Sequence, residues 1–262
     1  IAGGRVENVV GIPYKEAKDI MYDQVLVFSV KGSLAHFRQP DTTATHATYP
    51  FPPRPTIHGL LASVLGMDFD DEAGAAFLHE EHFVGLSLLK PVRTVCVQMS
   101  MHGKGFTGGG GDSFNRLTTI ELVVSPHYLV YYTGSRLGEL AERIRTGQSV
   151  YHTYLGSAYC LTFPAFHGLY PLLEVMPGEG EPLPCSCVVP QGVVQEILVE
   201  PGGNYAVARA LPYRHVGGRF FERTLNVIYE INGKPLKVRV RKIPEIACKF
   251  LKLPEGKVVC LW

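Results

Sequence analysis

The chain contains 262 residues, of which 46% are hydrophobic and 19% are charged, a balance typical of a globular protein and not of a disordered one. No run approaches the ~20 consecutive apolar residues of a membrane-spanning helix, and the first residues lack the pattern of a secretory signal. We therefore expect a cytoplasmic protein that makes no membrane contact.

The distribution of charge and of cysteine bears on the partners. The net charge is +1, but from Asn204 onward twelve Lys and Arg stand against four Asp and Glu, an excess of eight. Such an excess favours a polyanion partner, although a solvated strand face gives a similar count. The six cysteines fall mostly in apolar runs and are expected to be reduced. Cys185 and Cys187 lack the second ligand pair of a zinc site, so we expect no metal and no cofactor.

The first elements follow from apolar spacing. Residues 1–20 are expected to be an extension of unclear origin, because the sequence MYDQVLVFSV that follows resembles a natural start. The segment 24–32, QVLVFSVKG, predicts a buried strand. A polar, then proline-rich connection spans residues 33–55. The next segment, TIHGLLASVLG, has apolar residues at helical spacing and predicts a helix that Thr56 caps and Gly66 ends.

The middle of the chain combines strand-rich blocks with a second helix. The blocks HFVGLSLLKPVRTVCVQMSM and RLTTIELVVSPHYLVYYTG flank a glycine-rich segment, HGKGFTGGGGDSFN. Residues 135–147 predict an amphipathic helix that Ser135 caps and Gly147 ends, and SAYCLTFP predicts a strand. After a proline-rich stretch only short strands are predicted, with the NGK turn at 232–234 forming a hairpin.

The order β-α-(α)-β-β-α-β is that of the split βαβ unit, in which two helices cover one face of an antiparallel sheet. The predicted fold class is therefore α+β. We expect a ferredoxin-like domain over residues 21–176, followed by a smaller β-rich part over residues 177–262.

Two segments carry candidate RNA-binding residues. The connection after the first strand mixes cations with flat rings, which suits single-stranded nucleic acid because phosphates attract the cations and unstacked bases lie on the rings. From composition alone, an ordinary surface loop is an equal alternative. The glycine-rich segment is neither a phosphate-binding loop nor a dinucleotide fingerprint; it fits a loop that folds onto an extended ligand, or a plain hairpin end. The candidates are Lys31, His36, Phe37, Arg38, Tyr49 and Arg54 in the first segment, and Lys104, Phe106, Phe114 and Arg116 in the second.

Signals for catalysis are weaker. The sequence has neither a nucleophile elbow nor paired histidines at zincin spacing. A metal-independent ribonuclease needs a base, an acid and a cation near one phosphate. His46, Tyr49, His58, His102 and Lys104 could supply them, but a chain with this many His and Tyr residues offers many such sets.

The string VLVFSVKGSLAHFRQPDTTATHATYPFPPRPTIHGLLASVLG resembles the amino-terminal signature of CRISPR-associated protein family five, and VYHTYLGSAYCLTFP resembles a second segment of that family. The resemblance extends over roughly residues 22–165. It implies an RRM-like, ferredoxin-like domain of the RAMP superfamily with a β-hairpin thumb, which we expect at about residues 99–118.

The same resemblance implies a function. Proteins of this family hold the 5′ handle of the CRISPR guide RNA in type I Cascade, beside the large subunit and the first backbone subunit, with target DNA nearby. The candidates of the first segment would then contact the handle, and those of the second would belong to the thumb. A type I-B-like system is preferred.

One departure from the family concerns cleavage. Type I-C members process the guide RNA with a Tyr, a Lys and a His, the last two adjacent in sequence. This chain has no Lys-His dipeptide, and the nearest match is HGK at 102–104. We therefore expect a non-catalytic subunit, with a metal-independent endoribonuclease as the alternative.

Overall fold

The architecture is mixed α and β, with few helices and several sheets. The structure is a computed structural model that describes residues 23–262 except 41, 43–44, 104–113, 176–177, 179 and 217–219. The amino-terminal elements are β1 (Gln24–Lys31), β2 (Leu34–Ala35), β3 (Thr45–His46), α1 (Arg54–Leu65), α2 (Glu72–His79), β4 (His82–Leu88), β5 (Thr94–Gly103), β6 (Phe114–Val124), β7 (His127–Gly134), α3 (Leu137–Arg145) and β8 (Ala165–Pro171). The later elements are β9 (Leu183–Cys185), β10 (Val189–Pro190), a 3-10 turn (Gln191–Val193), β11 (Val194–Leu198), β12 (Tyr205–His215), β13 (Phe221–Glu230), β14 (Leu236–Val240), β15 (Lys249–Lys252) and β16 (Val258–Leu261).

The central sheet has the strand order β4-β7-β1-β8, and all neighbours are antiparallel. Every residue of β1 from Val25 to Val30 is buried. Because successive side chains of a strand point to opposite faces, both faces of the sheet are covered at β1. The outer edge of β4 is also occupied, since Val84 exchanges backbone hydrogen bonds with Trp262 and Leu86 accepts one from Val188.

A long β-hairpin lies where the thumb is expected. β5 and β6 pair from Thr94 opposite Val123 to Gly103 opposite Phe114. On its other edge β6 pairs with β2 and β3, which lie in the connection after β1. The base of the hairpin is therefore joined directly to the segment that carries the first set of candidate residues.

Both predicted helices exist, but their predicted amino-terminal caps are wrong. α1 starts at Arg54, so Thr56 lies inside its first turn and Pro53 occupies the cap position. Proline at 55 fits there because its fixed φ matches the helix and its missing N–H lies among the amides that have no helical partner. Gly66 ends the helix in the left-handed region, as predicted. α3 begins at Leu137 instead of following Ser135.

Two predicted strand features are also wrong. β13 and β14 lie in different sheets, β10-β13-β12 and β11-β14-β9-β16-β15, so the NGK turn joins two sheets and makes no hairpin. The buried carboxylate of Glu230 organises this turn by accepting hydrogen bonds from the backbone amides of Asn232 and Lys234. The segment SAYCLTFP contains turns and a single bridge between Tyr154 and Leu161; the next strand starts at Ala165.

One hydrophobic cluster runs through both parts of the chain and includes Phe28 and Tyr131 from the central sheet and Val238 and Trp262 from the carboxyl-terminal strands. None of the helices described is both long and apolar enough to cross a membrane. All six cysteines are free thiols, and across the described ranges no group of His, Cys, Asp and Glu side chains is arranged to hold a metal ion.

Candidate nucleic-acid interface

The connection after β1 doubles back on itself beside the base of the hairpin. Arg38 forms a β-bridge with Thr48, and the amide of Tyr49 donates to the carbonyl of Phe37 at 2.8 Å. The hydroxyl of Thr48 accepts from the amide of Phe37 at 2.9 Å. These bonds bring residues 36–38 and 48–49 together, although the nine residues 39–47 lie between them in sequence.

His36 lies at the centre of this arrangement. It is 5% exposed, and its Nδ1 lies 2.8 Å from the carbonyl oxygen of Glu121 in β6. Its amide donates to the carbonyl of Leu155 at 3.1 Å. Burial is the largest influence on the ring and lowers its pKa; the bond to Glu121 opposes this, and the charge of Arg38 lowers the pKa further. The ring is therefore neutral at pH 7.

The two aromatic candidates of this segment point into the protein. Phe37 and Tyr49 are each 3% exposed. The ring of Phe37 lies 6.2 Å from that of Tyr128, centroid to centroid, and the Tyr49 hydroxyl donates to the carbonyl of Ala210 at 2.7 Å. Neither ring has a free face for a base in this conformation. Both hold the connection against the strands beneath it.

Arg54 is engaged in structure. Its Nη2 donates to the carbonyl of His82 at 2.5 Å, and its guanidinium carbon lies 4.8 Å above the ring centre of Tyr213. The side chain therefore links α1 to β4 and to β12, in two different sheets, and most of its donors are turned away from solvent.

A small cleft opens between the connection, the start of α1 and the β12–β13 hairpin. Its volume is about 160 Å³, and it is lined by residues that include His36, Arg38, Thr56, Gly156 and Phe221. Arg38 is exposed, and it forms no ion pair with any residue that the structure describes. The cleft thus combines a cation that is free to bind an anion with a neutral imidazole and an exposed ring at its rim.

The remaining candidates are not brought to this cleft. Lys31 is exposed at the end of β1, opposite His127 of β7. Lys104 and Phe106 lie outside the described residues, as do the side chains of the first residues of β6, Phe114 and Arg116.

Two members of the candidate ribonuclease set, His58 and Tyr49, lie in different parts of the structure. His58 is 4% exposed on α1, with its ring 6.4 Å from that of Phe77 and 5.1 Å from that of His82. Tyr49, in contrast, lines the cleft. The histidine that shares the cleft with Tyr49 is His36, which the set did not contain.

Sequence reasoning missed Thr56, Gly156 and Phe221 as cleft residues. Gly156 lies in the YLG string of the second family segment, and its positive φ of 83° is a conformation that glycine adopts readily. Phe221 carried no signal, because it reaches the cleft only through the pairing of β12 with β13.

Part of the basic excess of the carboxyl-terminal part is engaged in ion pairs. Arg214 pairs with Glu222 at 3.3 Å, and Arg239 pairs with Glu196. Three more cations of this part, Lys237, Arg241 and Lys257, also have glutamate partners. The count of charges in sequence therefore overstates how much free positive charge this part offers to a polyanion.

Comparison with known proteins bears on the same segment. Residues 25–104, which contain β1 except its first residue, the doubled connection and α1, match the model of the family described as CRISPR-associated protein (Cas_Cas5). The resemblance to the Cas5 family is confirmed.

Solved structures were also compared with this chain. A chain of a CRISPR RNA-guided surveillance complex superposes with a TM-score of 0.51 at 13% identity, covering 80% of this chain and 91% of that chain. A CRISPR protein from Archaeoglobus fulgidus superposes with a TM-score of 0.49 at 14% identity, covering 90% and 98%. No curated protein matches the sequence significantly.

Proposed function

We propose that this chain is a non-catalytic RNA-binding subunit of a type I Cascade complex and that it holds the 5′ handle of the CRISPR guide RNA. The observation that carries the proposal is the position of the cleft. It is built largely from residues inside the stretch that matches the Cas5 model, and Arg38 stands there exposed and without an acidic partner among the described residues.

The topology supports the same proposal. The order β4-β7-β1-β8, with α1 between β1 and β4 and α3 between β7 and β8, is the order expected of a ferredoxin-like sheet of the RAMP type. The β5–β6 hairpin extends from this domain and would serve as the thumb that bends the guide.

Exposed apolar side chains support a role inside an assembly. Between α3 and β8, six large apolar side chains are at least 43% exposed: Val150, Tyr151, Tyr154, Tyr159, Leu161 and Phe163. Soluble monomers rarely expose apolar groups in such density. We propose that a neighbouring subunit of the complex, the large subunit or the first backbone subunit, covers this surface, with target DNA nearby in the assembled complex.

An endoribonuclease is the second candidate, because His36 and Arg38 line one cleft and so place a base and a cation near one site. One gel distinguishes the two. Purified protein is incubated with labelled RNA of its cognate CRISPR repeat in EDTA, and the RNA is resolved under native and denaturing conditions. A native shift with intact RNA supports the binding subunit, and a discrete cleavage product supports the nuclease. If the gel shows neither a shift nor a product, both candidates are refuted.

A further inference from the structure

The cleft holds a hydrogen-bond acceptor that the protein itself leaves unused. A carbonyl oxygen only accepts hydrogen bonds, so the contact of 2.8 Å between His36 Nδ1 and the Glu121 carbonyl places the ring proton on Nδ1. The neutral ring then carries its lone pair on Nε2. Among the residues that the structure describes, Nε2 has no hydrogen-bond partner, although His36 is only 5% exposed.

Positive charge and a hydroxyl also line the cleft. Arg38 is exposed and near enough to His36 for its charge to lower the pKa of that ring. The Thr56 hydroxyl makes no hydrogen bond within the described ranges and lies in the first turn of α1, which has no acidic residue and no side-chain cap. An anion at this point would meet donors and partial positive charge, with no carboxylate from the helix opposing it.

The dimensions of the cleft fit a small polar group. A cleft of about 160 Å³ has room for several water-sized groups. This accommodates a sugar or a phosphate. At the rim, Phe221 is 46% exposed and offers a ring face to a base that stays outside the cleft.

We propose that this cleft is a ribose-phosphate subsite for single-stranded RNA, in which His36 Nε2 accepts a hydrogen bond from a ribose 2′-hydroxyl and Arg38 binds an adjacent phosphate. The inference rests on the proposed function and deepens it. Because DNA lacks the 2′-hydroxyl, His36 becomes the residue by which the subunit distinguishes RNA from DNA.

The test separates loss of the acceptor from loss of the fold. In His36→Asn, the amide nitrogen of asparagine replaces Nδ1 and keeps the bond to the Glu121 carbonyl, while the acceptor at the position of Nε2 is removed. On the RNA side, 2′-fluoro substitution at one nucleotide at a time removes the hydroxyl donor and preserves the sugar pucker of RNA. Affinities of both proteins for the unmodified and the singly modified repeat RNAs form a double-mutant cycle.

With the wild-type protein, 2′-fluoro substitution should weaken binding roughly 2- to 12-fold at one position, the range of a single hydrogen bond. His36→Asn should bind unmodified RNA more weakly by a similar factor, and the same 2′-fluoro substitution should then have no further effect. A wild-type protein that tolerates 2′-fluoro at every position overturns the inference but leaves the proposed function standing. A 2′-fluoro penalty that persists unchanged in His36→Asn likewise overturns the inference and leaves the proposed function standing. No binding of any RNA overturns both. If His36→Asn fails to fold, a 2′-fluoro scan of the wild-type protein that shows no penalty at any position still overturns the inference.

Discussion

At the scale of single residues, candidates from the same segment have opposite surroundings. Phe37 and Tyr49 are interior residues, whereas Arg38, which lies between them in sequence, is exposed. The sequence identified this segment correctly as a mixture of cations and rings. It could not assign exposure, because burial here depends on contacts with Tyr128 and Ala210, which are distant in the chain.

Arg38→Ala should weaken binding of the repeat RNA by roughly tenfold, since a hydrogen bond to a charged group contributes about 1.5 kcal/mol or more. The slope of log affinity against log salt should become shallower by about 0.7, the value for one phosphate contact on a single strand. Fluorescence anisotropy across a salt series measures both quantities. Arg145→Ala is the matched control, because Arg145 is an exposed arginine on α3 that pairs with Glu142. Equal effects of the two variants would contradict the role of Arg38.

Gly156→Ala tests the wall of the cleft. A Cβ at this position would lie 2.1 Å from the His36 carbonyl oxygen, at a φ of +83°. Gly147 has a similar φ of +67° but open space around it, so Gly147→Ala carries the backbone strain without the clash. Gly156→Ala should therefore be less stable than Gly147→Ala by at least ~1 kcal/mol, as for an overpacked site. Urea unfolding of both variants checks this, and equal losses would show that the close approach has no energetic consequence.

At the scale of elements, α1 shows what local sequence can and cannot predict. Apolar spacing and Gly66 located its body and its end. The start was misplaced by three residues, because the threonine at 56 was taken for the cap while proline at 53 and 55 shaped the first turn. The hairpin predicted at the NGK turn was wrong for a different reason. Turn chemistry predicts that the chain bends, but it does not predict whether the flanking strands pair.

α1 also makes stability depend on pH. His58 is fully enclosed, and burial, aided by the charge of Arg54, keeps its pKa well below the usual 6.5. Below pH 6.5 the unfolded chain therefore binds a proton at this residue that the folded protein does not. Stability must then fall as the pH drops, by up to about 1.4 kcal/mol per pH unit for this one group.

His58→Leu should reduce that dependence. Between pH 7 and pH 5, urea midpoints of the variant should fall less steeply than those of the wild type. His152→Leu replaces an exposed histidine and is the control. Parallel pH profiles for the wild type and His58→Leu would show that His58 is not the group responsible.

At the scale of the whole molecule, the sequence predicted the amino-terminal half better than the rest. There the helices and strands alternate, and each helix links strands that enter the same sheet, so element order alone restricts the topology. The carboxyl-terminal strands carry no such constraint. β9, for example, pairs with β14 and β16, and no local pattern encodes that choice. The cleft lies between these two parts, since Phe221 comes from β13, and only part of its lining was predictable.

The central claim is that this chain recognises the 5′ handle of a CRISPR guide RNA, and equilibrium binding tests it most directly. The purified protein is titrated against a labelled guide RNA with its cognate 5′ handle and against the same guide with the handle sequence permuted, at 150 mM salt in EDTA. We predict saturable binding that is at least tenfold tighter to the cognate handle, with the RNA recovered intact. Equal affinity for the two guides, or no binding to either, would contradict the claim.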